Sequence, residues 1–294
     1  TFDNRGRLIE SSIRDNGMLG DTILVNGTAG PILDVVARWT RLRLLNASTA
    51  RSYNFGFSDD RRFAMIASDG GLLREPVWLS RIQLTPGERA EIIVEMDSGE
   101  TVTLRSYPQD LGLSSNLDRT TGADDSLDVL LLRAGNNLVS NGSVPDELVN
   151  IDRIEESSAT ERRSFKLRNN MINDESMKMS RIDEVVTVDT TEVWEVWNAH
   201  QMPHNFHIHD VQFQILSVDG DDPSPELSGW KDTIYLPPDV RFKLIMRFAN
   251  YADPTMPYMY HCHLLWHEDL GMMGQFVVVE EGQEPGPIAS HRLH

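Results

Sequence analysis

Fourteen residues, Tyr260 to Met273, constrain this chain more than any other stretch. They hold its only cysteine, Cys262, three of its nine histidines and two adjacent methionines. The run Tyr260-His261-Cys262-His263 reads as a strand, on which successive side chains point to opposite faces. Cys262 then points one way, and His261 and His263 point the other. Past the strand end, His267 follows Cys262 by five residues and Met272 by ten, so a loop can bring an imidazole and a thioether back to the thiol. The bland reading of a lone cysteine is a small buried hydrophobe. With histidines on both sides, Cys262 is read as a ligand.

A second stretch, Met202-Pro203-His204-Asn205-Phe206-His207-Ile208-His209, supplies the partners. His207 and His209 are two apart and share a face, whereas His204, three residues earlier, falls on the opposite side. Two metal environments stand back to back on this reading. One holds His204, Cys262, His267 and Met272; the other holds His207, His209, His261 and His263. A thiolate, two imidazoles and a weak axial thioether describe a blue-copper site, with Met273 as the neighbouring competitor for the axial place.

The rest of the chain is patterned for strands. Short alternating runs at 23–25, 39–45, 53–57, 63–67, 90–96, 102–107 and 127–132 are punctuated by Asn26-Gly27, Asp69-Gly70-Gly71, Pro86-Gly87 and Ser98-Gly99. Similar runs resume at 165–167 and continue at 193–197, 211–218, 230–235, 240–248 and 275–279. Many short strands with turn punctuation indicate an all-β protein of two tandem Greek-key sandwiches. The expected division is a first domain over 1–134, a polar linker over 135–162, a second domain over 163–282 and a tail over 283–294. Thr1 to about Gly20 reads as a leading segment. His200, His291 and His294 read as solvent-exposed and unrelated to metal.

A net charge of -18 disfavours nucleic acid and anionic membrane as partners, since both would be repelled. No window approaches the ~18 consecutive apolar residues of a membrane span. A single cysteine cannot form an intramolecular disulfide, so redox compartment is not legible from it. The chain opens on Thr1 rather than Met and carries no signal peptide, which leads one to expect that its true N-terminus has been removed.

The two motifs, H-x-x-H-x-H and H-C-H-x-x-x-H-x-x-x-x-M, resemble the C-terminal copper signature of multicopper oxidases. Among these, the chain is similar to bacterial copper efflux oxidases, bilirubin oxidases and spore-coat laccases. Gly20-Asp21-Thr22-Ile23-Leu24-Val25-Asn26-Gly27, Ala67-Ser68-Asp69-Gly70-Gly71-Leu72-Leu73 and Gly229-Trp230-Lys231-Asp232-Thr233 extend the likeness over nearly the whole chain. The resemblance implies two cupredoxin-like domains, the first copper-free. It also implies a type 1 copper on His204, Cys262, His267 and Met272 that oxidises substrate, with His204 as the exposed edge. His207 would bind a type 2 copper, and His209, His261 and His263 a type 3 pair, where dioxygen is reduced to water. Phenolic, small organic or Cu(I) substrates and an extracytoplasmic location, periplasmic or secreted, are implied in the same way.

Three further expectations follow from the resemblance. Glu268, directly after His267, matches a position where relatives carry a proton-relaying acid; the bland alternative is a loop carboxylate bonded to backbone. Asp232 and Asp269 are weaker candidates for positioning ligands. Met171, Met177 and Met179, beside Asp174 and Glu175, lie where efflux oxidases bind substrate Cu(I), yet Lys178 stands where an acidic ligand is expected, and a core-and-loop role is favoured.

The family's three-copper cluster uses eight histidines in four H-x-H pairs, and this chain supplies two pairs, with no histidine before His200. The expected explanation is a missing N-terminal cupredoxin domain. The alternative is a blue-copper electron carrier or interaction protein without oxygen-reducing activity, the latter like copper-free relatives in cell division.

Overall fold

The period of two carried by Arg41-Leu42-Arg43 becomes a strand in which Leu42 is buried between two exposed arginines. The same logic builds the rest. A computed structural model describes residues 5–7 and 16–288. Most of the expected leading segment, with His291 and His294, lies outside the described residues. The chain divides into two compact units, residues 1–151 and 152–294.

The first unit contains β1 (Leu24–Val25), β2 (Thr28–Ala29), β3 (Ile32–Ala37), β4 (Trp39–Leu45), β5 (Tyr53–Phe57), β6 (Phe63–Ser68), β7 (Gly71–Leu79), β8 (Ile82–Leu84), β9 (Arg89–Glu95), β10 (Thr101–Ser106), the helix α1 (Ser115–Thr121) and β11 (Leu127–Val139). Apart from the β1-β2 hairpin, they form a five-stranded sheet, β3-β11-β10-β5-β8, and a four-stranded sheet, β4-β9-β6-β7. Phe57, Phe63, Ile92 and Leu104 fill the space enclosed by the two sheets.

β11 is longer than the sequence pattern suggested. Its parallel pairing with β3 runs through a register shift to Val139 opposite Ala37, so 135–139, expected in the linker, are sheet. The Asn141 side chain prolongs this edge, accepting from Trp39 N–H at 3.0 Å and donating to Trp39 O at 2.7 Å. Polar composition there reflects exposure of an edge rather than absence of a strand.

The second unit contains β12 (Glu161–Arg168), β13 (Met171–Ile172), β14 (Glu184–Thr187), β15 (Thr190–Asn198), β16 (His204–Ile208), β17 (Phe213–Val218), β18 (Thr233–Leu236), β19 (Arg241–Phe248), β20 (Tyr258–His261), the short helix α2 (Leu265–Asp269) and β21 (Met273–Val279). The sheets run β13-β12-β15-β19-β17 and β14-β21-β20-β16-β18. Trp194 is the centre of the core, with Phe165, Phe206, Phe248, Tyr260 and Phe276 packed around it at centroid separations of 4.5 to 6.3 Å. Its indole N–H donates to Glu192 at 2.7 Å, and Glu192 is held in turn by Arg163. Cys262, Leu264 and Met272 belong to the same core, which places the thiol inside apolar packing.

Candidate metal centres

Strand β16 sorts its side chains by face. His204, Phe206 and Ile208 are buried, with Phe206 and Ile208 in the core, while His207 and His209 turn to the other side and stay half-buried. β18 and β20 flank it, with His207 opposite both Thr233 and His261. β20 ends at His261, so Cys262 stands at the first position past the strand, and α2 follows where the sequence suggested an irregular loop.

Helix α2 returns His267 to Cys262. The reversal is completed at Gly271, whose φ of 100° is open to glycine and costly for other residues. There Met272 N–H donates to His267 O at 3.0 Å and Met272 O accepts from Cys262 N–H at 3.1 Å. Met272 is fully buried and Met273 only partly.

His204 Nδ1 and His267 Nδ1 are 3.1 Å apart, and Cys262 Sγ is 3.8 Å from the first and 3.6 Å from the second. A point equidistant from these three atoms lies about 2 Å from each, the length of a metal–ligand bond. A soft thiol and two imidazoles converging in a dry pocket are a donor set that fits copper. Burial pushes the Cys262 thiol up to about 12 and holds His204 well below the usual imidazole range, with the neighbouring His267 adding to the latter.

On the other face, His209 Nε2 is 3.2 Å from His261 Nε2, and the nearest donor atoms of His207, His209 and His261 all lie within 4.8 Å of one another. His263 stands beside them, its ring 5.4 Å from those of His207 and His261. The outer nitrogens of His207 and His261 are held by protein. His207 Nδ1 faces Asp232 O at 3.0 Å and Thr233 Oγ1 at 2.9 Å, and His261 Nδ1 faces Glu268 at 3.2 Å. Since Thr233 Oγ1 donates to the Asp232 carboxylate, it accepts from His207, which leaves the Nε2 lone pair free for a metal.

This face opens on a cavity of about 600 Å³ lined by His207, His209, Asp210, Asp232 and Tyr251, among others. Burial, reinforced by His207 and His261, holds His209 down to about 4, and burial raises Asp210 to about 6. A hydrogen bond from His261 keeps the Glu268 carboxyl below its usual range.

The structure corrects several sequence expectations. His204 has no exposed edge, being 1% accessible. His200 is not a free surface residue: its ring stacks on that of His204, with centroids 5.6 Å apart. Met179 is 74% exposed, and the acids beside the methionines are engaged, Asp174 by Lys166 and Glu175 by Arg181, which supports a loop role for that cluster. Asp269 is exposed on α2. Asn205 was missed by sequence reasoning. Buried between the two faces, its Oδ1 accepts from Cys262 Sγ at 3.4 Å and from His263 N–H. Only its position between His204 and Phe206 could have signalled it.

Multicopper oxidase family models match residues 5–107 and 147–282. The chain belongs to the multicopper oxidase family. It is 36% identical over 277 residues to the cell division protein FtsP of Xenorhabdus nematophila, covering 91% of this chain and 57% of that protein. It is 37% identical over 270 residues to multicopper oxidase mco of Staphylococcus haemolyticus, covering 90% of this chain and 54% of that one. The laccase-like multicopper oxidase CueO of Ochrobactrum sp. superposes with a TM-score of 0.79 at 33% identity, covering 90% of this chain and 61% of that one. The chain thus spans a little over half the length of the curated relatives it matches.

Proposed function

We propose that the chain is the C-terminal, copper-binding part of an oxidase that takes single electrons from phenolic, small organic or Cu(I) substrates and delivers them to dioxygen. The observation that carries this reading is the convergence of Cys262 Sγ, His204 Nδ1 and His267 Nδ1 on one buried point. Met272, buried in the same core, would supply the weak thioether donor. Copper held there would accept and release one electron at a time, and copper held by the histidine face would supply the four-electron chemistry of dioxygen.

The protein residues have separate tasks. Cys262 is joined through its own backbone to His261 and His263, a covalent route of a few bonds from one face to the other. His207 supplies the type 2 position; His209, His261 and His263 supply the type 3 positions. Thr233 and Glu268 orient His207 and His261 from behind, and Glu268 moves protons at its carboxylate oxygen. The four remaining imidazoles of the cluster come from a further cupredoxin domain carrying two H-x-H pairs. The site works in an extracytoplasmic compartment; among the described residues no helix is long and apolar enough to cross a membrane.

The likeness to cell division proteins supplies a second reading, an interaction protein that does not reduce oxygen. The complete thiol, imidazole and thioether set favours the first. Copper loading decides the type 1 site: an intense visible absorption is expected and must vanish in Cys262→Ser, and a colourless copper-loaded wild type would overturn the assignment. Oxygen uptake by the protein extended with its two further H-x-H pairs then separates oxidase from interaction protein.

A further inference from the structure

The donor set at Cys262 is sealed. Cys262 is 0% accessible, His204 1% and His267 2%, so an electron arriving from outside must first cross another side chain. Among the described residues that are not themselves donors, one ring is stacked on a donor imidazole. This is His200, at 5.6 Å from His204 with an interplanar angle of 21°. His200 is half-buried, and its Nδ1 is turned inward with no hydrogen-bond partner.

The turn carrying His200 is anchored. His200 N–H donates to Asn198 Oδ1 at 2.9 Å, and the Asn198 amide donates to Met202 O at 2.8 Å and to Leu236 O at 3.1 Å. β12 runs parallel to β15 with Leu167 opposite Asn198, and Ala199 N–H donates to Leu167 O at 2.9 Å. Arg168, the next residue, therefore flanks His200. Arg168 is exposed and forms no ion pair among the described residues. Burial first, and then the charge of Arg168, hold His200 below the usual imidazole range.

We propose that His200 and Arg168 form the docking point for reducing substrates, and that the substrate class they select is an aromatic one-electron donor bearing an acid group, a sulfonate or a carboxylate. The donor ring stacks on the His200 imidazole, and its acid group pairs with the Arg168 guanidinium. One electron would leave the donor, which would depart as its one-electron-oxidised radical, and copper(II) held by Cys262, His204 and His267 would take that electron up as copper(I). No bond or proton changes at His200. With a net charge of -18 the chain as a whole repels anions, so a lone unpaired cation beside the stacked ring is what makes an anionic donor acceptable at this spot. The inference rests on the copper reading above and names its substrate class.

The test is anaerobic reduction of the copper-loaded chain, followed at its visible band, by a disulfonated azino-benzothiazoline dye and by uncharged dimethyl-p-phenylenediamine. His200→Ala should leave the band and the copper potential unchanged while slowing reduction by both donors about tenfold. His200→Phe, which keeps a ring in place, should restore both rates. Arg168→Gln should slow only the disulfonated donor and remove any slowing of its rate by added salt. Wild-type rates in His200→Ala, failure of Phe to restore them, or equal slowing of both donors by Arg168→Gln would each overturn the proposal. Absence of the visible band from copper-loaded wild type would instead refute the copper reading beneath it.

Discussion

Glu268 and His261 are paired from behind the metal-facing side: a Glu268 carboxylate oxygen lies 3.2 Å from His261 Nδ1, while His261 Nε2 lies 3.2 Å from His209 Nε2. Glu268 follows His267, whose own ring faces Cys262. Two adjacent residues of α2 thus serve opposite faces, because neighbouring positions on a helix point about 100° apart.

That pairing predicts two separable effects of Glu268→Gln. The amide still accepts from His261, so the visible band and the rate of substrate reduction should stay near wild type. Proton delivery should suffer: in the protein carrying its full set of H-x-H pairs, reoxidation by oxygen should slow by about tenfold or more. Stopped-flow measurement of the two half-reactions checks this, and equal rates in both would remove the relay role.

The thiol at Cys262 stays protonated up to about 12, whereas burial keeps His204 neutral far below pH 6.5. A metal ligand must be deprotonated to bind, so Cys262 has a proton to give up near neutral pH whereas His204 has none. Copper(II) loading at pH 7 should release one proton per type 1 ion, and Cys262→Ser should abolish that release. Calorimetry in buffers of different ionisation enthalpy counts the protons. Two or more released would mean that His204 or His267 is charged in the metal-free protein.

Met272 is buried in the core beside Cys262, and its neighbour Met273 is only partly covered. Met272→Leu should therefore keep the visible band and raise the copper potential, because a weak donor to the oxidised ion is lost. Met273→Leu should change neither. Spectroelectrochemical titration of the two variants distinguishes the methionines, and a potential shift confined to Met273→Leu would reassign the axial ligand.

The back-to-back arrangement was legible because strand alternation is a local property: His204 against His207 and His209, and Cys262 against His261 and His263, need only the period of two. The two-sandwich fold was legible for the same reason. What escaped depended on contacts between distant segments. His200 looked like a surface turn, and only the closure of 198–204 brings its ring over His204. β3, β7 and β14 carry weak or mixed patterns because their positions at sheet edges leave much of each strand exposed. The extension of β11 to Val139 required β3 as a template, which polar residues 135–137 do not announce. Thr233 and Asn205 touch histidines through the register of β16 with β18 and through the Cys262 turn, neither of which a single segment encodes.

The pH stability of the metal-free protein should be bounded on both sides by the same buried donors. His204 lies well below, and His209 at about 4, against an ordinary imidazole value of 6.5. Below pH 6.5 the unfolded chain takes up protons that the folded chain refuses, so the stability these neutral imidazoles contribute is complete above 6.5 and declines as pH falls toward 4. One fully buried group can contribute a slope of up to about 1.4 kcal/mol per pH unit. His204 approaches this, and the half-buried His209 contributes less because water screens it. Asp210, raised to about 6 by burial, works in the opposite direction and moderates the slope. On the alkaline side, Cys262 is raised from 9.0 to about 12, so the unfolded chain loses a thiol proton that the folded chain keeps, and stability declines as pH rises above 9. Urea unfolding across the pH range should show a plateau between about 6.5 and 9. His204→Leu should flatten the acid limb, and Cys262→Ala the alkaline limb, each without flattening the other. A wild-type acid limb in His204→Leu would show that His204 does not govern acid unfolding.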